Sequence, residues 1–84
     1  MDIVTIEGLR FYLAKSRLRL CDLSIDDPVS LIKEKDNDSV ACYWRNNKIG
    51  HVNYEENNYI DPGSYKINLI SSRCLKVEKI VLEA

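Results

Sequence analysis

Apolar residues recur at every second position through most of this chain, in short runs broken by turn formers. Val29 and Leu31 flank Ser30, Val40, Cys42 and Trp44 alternate with Ala41, Tyr43 and Arg45, and Tyr65, Ile67 and Leu69 keep the same spacing. Leu18 and Leu20 alternate with Arg17 and Arg19, and Leu75 and Val77 repeat the pattern near the end. Residues two apart on an extended strand share a face, so this period predicts short strands with one buried side. The phase slips after Val77, because Ile80 and Leu82 fall on the other parity, and the slip predicts a bulge at Glu78-Lys79.

Three segments carry the turn chemistry: Asp26-Asp27-Pro28, Asn46-Asn47 and Asp61-Pro62-Gly63-Ser64. Asn46-Asn47 reads as a hairpin turn, because asparagine tolerates left-handed backbone. Only the stretch from Glu55 to Ile60 reads as a helical turn, ended by Pro62. About six closely spaced strands are best served by closure, which removes exposed sheet edges. The expected fold is all-β: a small OB-like or SH3-like barrel with at most one or two short helical turns. Its core should contain Val29, Leu31, Val40, Cys42, Trp44, Ile49, Ile67 and Leu69.

At 84 residues the chain makes one domain spanning 1–84, with room for a single modest core. A hydrophobic fraction of 45% and a charged fraction of 30% place it among globular rather than disordered chains. No apolar run approaches the ~20 residues of a membrane span, and MDIVTIEG lacks a signal-peptide pattern, so a cytoplasmic protein is expected. Cys21, Cys42 and Cys74 are odd in number and widely spaced, which suits reduced thiols and fits neither a disulfide framework nor a zinc site. No metal or cofactor is expected.

The chain has one histidine, His51, and no serine or cysteine stands around it at a catalytic spacing. P-loop and dinucleotide fingerprints are absent, and DNDS at 36–39 lacks the glycine and distal glutamate of a calcium loop. A non-catalytic binding protein is expected. The net charge of −1 argues against broad electrostatic attraction to nucleic acid. The charge is uneven, however: Arg10, Lys15, Arg17 and Arg19 occupy 10–19 without an acid, whereas 22–38 holds six acids against Lys33 and Lys35.

Two short stretches do not reduce to barrel filling. GLRFY, at 8–12, sets Arg10 beside Phe11 and Tyr12 in what reads as a strand, and KIGHV, at 48–52, carries the histidine. In strict alternation Phe11 shares a face with Leu9 and Leu13 and would be core, with Arg10 and Tyr12 facing water. By the same rule His51 shares parity with Ile49 and would be partly buried and hydrogen-bonded.

Taken in order with VSLIKEKDNDSVACYW between them, these stretches resemble a HIRAN domain. The matching positions are Gly8, Arg10, Phe11 and Tyr12; Val29, Leu31, Glu34, Asn37, Asp38 and Ala41; then Ile49, Gly50, His51 and Val52. The likeness covers residues 4–54 and fades beyond them. It implies an OB-like barrel that binds single-stranded DNA and captures a free 3′-hydroxyl end. It further implies that Arg10 holds a phosphate or a base edge, Phe11 stacks a terminal base, Asn37 positions backbone oxygens, Asp38 receives the terminal hydroxyl and His51 meets the last phosphate. The family's N-P-Y-D segment is shortened, with Asp38 directly after Asn37, so its stacking tyrosine is missing and Tyr12 or Tyr54 would have to stand in. Lys35 replaces a proline of the family pattern. A different reading stands beside this one: a protein-interaction module on a HIRAN-like barrel that has lost its DNA contacts.

Overall fold

The structure, a computed structural model, describes residues 3–35, 39–52 and 60–80. Six antiparallel strands close into a barrel in the order β1 (Ile3–Glu7), β4 (Asn47–Val52), β3 (Val40–Trp44), β2 (Pro28–Lys33), β5 (Gly63–Ile70), β6 (Leu75–Lys79), with β6 returning to β1. The expected all-β barrel is the observed one; among the described residues it carries one helix, α1 (Leu9–Lys15), and a 3₁₀ turn at Leu20–Asp22. The turn expected within 55–60 falls almost wholly outside the described residues.

Inward side chains of every strand form one cluster, which includes Val4, Ile6, Val29, Leu31, Val40, Cys42, Trp44, Ile49, Ile67 and Val77. Tyr65 is fully buried, and its hydroxyl donates to the Asp61 carbonyl at 2.9 Å, so the ring packs without stranding a polar atom. Trp44 is satisfied in the same way, its indole N–H donating to Asp27 Oδ2 at 3.1 Å. Asp27 therefore serves two elements, since the same oxygen accepts the Ser24 backbone N–H at 2.9 Å.

Seven of the eight expected core residues are buried; Leu69 is 46% exposed. The cause is a bulge. Along β5 and β6 the partners run Ile67↔Val77 and then Leu69↔Lys76, so Asn68 is an extra residue in β5. An extra residue inverts the alternation beyond it, which turns Leu69 to solvent while Ile70 packs against the core. Glu78-Lys79, the expected place of a bulge, carries none: the two residues keep regular pairs with Lys66 and Tyr65, and the irregularity of this ladder is at Asn68 instead.

The hairpin between β3 and β4 turns one residue earlier than expected. Trp44 pairs with Asn47, leaving Arg45 (φ 47°) and Asn46 (φ 66°) as the central pair. Two successive left-handed residues match the twist of the flanking strands. Arg45 also lays its guanidinium 4.6 Å from the centre of the Trp44 ring.

GLRFY is not a strand. Gly8 takes φ 76°, a left-handed conformation that glycine adopts without a Cβ penalty, and the chain turns there from β1 into α1. Leucine, arginine, alanine and lysine are good helix formers, and Leu9 and Leu13, one turn apart, enter the core from one face. The helix ends at Ser16 with Arg17 at φ 58°. There the Leu18 N–H reaches the Leu13 carbonyl at 2.8 Å and the Arg17 N–H reaches the Ala14 carbonyl at 3.1 Å. The strand expected across 17–20 is therefore this helix stop followed by the 3₁₀ turn.

Candidate functional site

A second bulge builds the site. In the β3–β4 pair Cys42 faces Gly50 but Tyr43 faces Lys48, so Ile49 is the extra residue of β4. Lys48 and His51 have opposite parity and would point to opposite faces of a regular strand. With the bulge between them, Ile49 enters the core while both line one outer cleft with Tyr12, Glu34 and Ser39. The cleft has a volume of about 240 Å³.

Helix α1 packs against β4 and delivers Tyr12 to this cleft. The Tyr12 and His51 rings meet edge to face with centroids 6.0 Å apart. The approach depends on Gly8: a Cβ there would lie 3.0 Å from His51 Cε1 and 3.1 Å from Tyr12 Cε2. One residue thus provides both the left-handed turn and the space for the two rings.

Lys48 lies between an anion and a π-face. Its ammonium donates to Glu34 Oε1 at 2.8 Å and stands 4.9 Å from the centre of the Tyr12 ring. The Ser39 hydroxyl donates to the same Oε1 at 3.0 Å. The hydrogen bond from Lys48 holds the Glu34 carboxyl below its ordinary range, and that bond in turn raises the Lys48 ammonium above its own. Both side chains remain about a quarter exposed, so the pair is open to an incoming ligand.

Phe11 lies outside the core. It is 64% exposed, stands edge-on to Tyr12 at 5.0 Å and carries the Lys15 ammonium 6.0 Å from its ring centre. Period two had paired it with Leu9 and Leu13; on a helix it stands about 200° from each of them. The outcome is a line of three rings, Phe11, Tyr12 and His51, with ammonium groups over the first two.

Among the sequence-derived site residues, the fold gathers Phe11, Tyr12 and His51. Arg10 stands apart, its Nε donating to the Ser72 carbonyl at 3.1 Å in the β5–β6 connection. Asn37, Asp38 and Tyr54 lie outside the described residues. The Glu34 N–H donates to the Ser39 carbonyl at 2.7 Å, so the two described residues bracketing 35–38 are tied together at the cleft. The sequence reading missed Lys48 and Ser39 and gave Glu34 no role. Lys48 was concealed because parity alone sets it opposite His51. Among the described residues no group of histidine, cysteine, aspartate and glutamate could hold a metal ion. No family model, curated protein or solved structure matches the chain.

Proposed function

We propose that this barrel is a non-catalytic module that binds single-stranded DNA and favours a free 3′-hydroxyl end, as HIRAN domains do. The observation that supports it most is Phe11: a large ring held in solvent, edge-on to Tyr12, with Lys15 and Lys48 over the two rings. Exposed rings flanked by cations suit a ligand that alternates flat bases with phosphates. Stacking contributes roughly 1–3 kcal/mol per base and tolerates any sequence.

In this reading Phe11 stacks the terminal base, and Tyr12 takes the place of the tyrosine missing from the N-P-Y-D segment. Lys48 and His51 meet phosphate oxygens. Glu34 holds Lys48 over Tyr12 until a phosphate competes for the ammonium. The preference for a hydroxyl end rests on the resemblance, through Asp38, because a carboxylate accepts a hydroxyl proton and repels a terminal phosphate. Arg10, on the other side of α1, leaves the set of end contacts.

Fluorescence anisotropy of a labelled oligonucleotide of about ten nucleotides tests the reading. Saturable binding by the parent, weakened in Phe11→Ala and Lys48→Gln, supports it. Binding that neither substitution alters would dismiss the cleft.

A further inference from the structure

Arg10 is the residue of GLRFY that the proposed DNA site does not use, and it borders a cleft of its own. Two positions along a helix differ by about 200° around its axis, so Arg10 and Tyr12 serve opposite sides of α1. The walls on the Arg10 side are Leu9, Leu13, Leu18 and Leu20, with Ala14, Arg10 and Ser72 completing the lining. The cleft is open and largely apolar, with a volume of about 340 Å³. Leu18 and Leu20 remain only partly buried against the core, so the floor is apolar surface still available to a partner.

The guanidinium at the rim is held for use. Its Nε donates to the Ser72 carbonyl, and the turn carrying that carbonyl is fixed by the Ser71 N–H and hydroxyl, both donating to the Cys74 carbonyl at 3.0 Å. This leaves the end-on pair of guanidinium nitrogens, the edge that matches a carboxylate in bidentate fashion. No acidic side chain among the described residues pairs with Arg10. Exposed cations adjoin the lining residues in sequence: Arg17 and Arg19 flank Leu18, and Arg73 follows Ser72. Asp22, the nearby acid in sequence, directs Oδ2 to the Arg19 backbone N–H at 2.8 Å.

We infer that this face docks an acidic peptide segment of a partner protein, with one large apolar side chain seated among the four leucines and an adjacent carboxylate on Arg10. A free fatty acid suits it less well. An open cleft leaves an alkyl tail wet, and a single carboxylate makes no use of Arg17, Arg19 and Arg73. The inference is independent of the proposed DNA site, because the two faces share no lining residue.

The test is a ¹⁵N–¹H correlation titration of the whole chain with a short blocked peptide of aspartates and glutamates around one leucine and one phenylalanine. Three controls accompany it: the same peptide with lysines for the acids, the same with serines for the apolar pair, and octanoate. Shifts confined to Arg10, Leu13, Ala14, Leu18 and Ser72, with Tyr12, Lys48 and His51 unmoved, are expected with the acidic peptide alone. Arg10→Gln should weaken binding about tenfold. Ala14→Phe, which fills the cleft from an exposed position, should abolish it without altering oligonucleotide binding. Absence of shifts at about 1 mM peptide, an equal response to the lysine peptide, or octanoate binding as tightly as the peptide would each overturn the inference.

Discussion

The ammonium of Lys48 lies 2.8 Å from Oε1 of Glu34, joining the end of β2 to the bulged strand β4 across the candidate cleft. Each partner moves the other's titration, Glu34 downward and Lys48 upward. A carboxyl whose folded value is depressed contributes stability above its unfolded value of about 4.3, and that contribution disappears as pH falls through the folded value. An ammonium whose folded value is raised contributes below its unfolded value of about 10.4 and loses this as pH rises through the folded one. Glu34→Gln should therefore cost about 0.5–1 kcal/mol at neutral pH, and the deficit should close as pH falls below the ordinary carboxylate range. Urea melts of parent and variant at a series of pH values measure it; a deficit independent of pH would mean that the carboxylate charge is not what stabilises the fold.

The same pair makes a prediction about ligand. If Lys48 meets a phosphate as proposed, Glu34 competes with it, so Glu34→Gln should tighten oligonucleotide binding, whereas Lys48→Gln should weaken it. With few cations at the cleft, the logarithm of affinity should fall against the logarithm of salt with a slope of about −1.5 to −3, corresponding to roughly two to four phosphates. A steeper slope in an anisotropy series would locate the main contacts elsewhere.

Phe11→Ala separates binding from stability. The ring is mostly solvent-exposed, so the substitution should change the free energy of unfolding by less than about 0.5 kcal/mol and weaken DNA binding by about 1–3 kcal/mol. Leu13→Ala, on the buried face of the same helix, should instead cost about 2–5 kcal/mol of stability. Thermal melts beside the binding assay distinguish the two effects.

Gly50 permits the close approach of β1 to β4. A Cβ there would stand 2.5 Å from Ile6 Cγ2 and 2.6 Å from the Glu7 carbonyl oxygen, and the second of these is backbone that a rotamer change cannot clear. Gly50→Ala should destabilise the barrel by about 1–3 kcal/mol, measured by urea denaturation. Gly8→Ala strains a left-handed residue and presses on His51 and Tyr12, so its melt should fall together with DNA binding.

Two of the three thiols should separate cleanly. Cys21 is exposed, while Cys42 is fully buried and burial pushes its thiol up to about 12. Alkylation near pH 8 should modify Cys21 promptly and Cys42 only as fast as the barrel unfolds. Peptide mapping over time reports both rates.

The alternation of β2 and β3 was legible because nothing interrupts it: Val29, Leu31, Val40, Cys42 and Trp44 all point inward as period two requires. Helix α1 was not, since Leu9, Phe11 and Leu13 satisfy a period of two while Leu9 and Leu13 also satisfy one helical turn. A stretch that short does not choose between them. The deciding feature was the left-handed Gly8, which a sequence does not display. Bulges escaped for a related reason. Asn68 and Ile49 are ordinary strand residues, and their extra place in the ladder is set by the partner strand rather than by their own chemistry. The first error misplaced Leu69, and the second concealed Lys48 beside His51.

The central claim is end recognition at the cleft, and one comparison tests it most directly. Fluorescence anisotropy is recorded with single-stranded oligonucleotides of one sequence ending in a 3′-hydroxyl, ending in a 3′-phosphate, or closed into a circle, all at the same low salt. The account predicts tightest binding to the 3′-hydroxyl form and about tenfold weaker binding to the 3′-phosphate, with Asp38→Ala erasing the difference and Phe11→Ala weakening both. Equal affinity for all three forms, unchanged by either substitution, would contradict it.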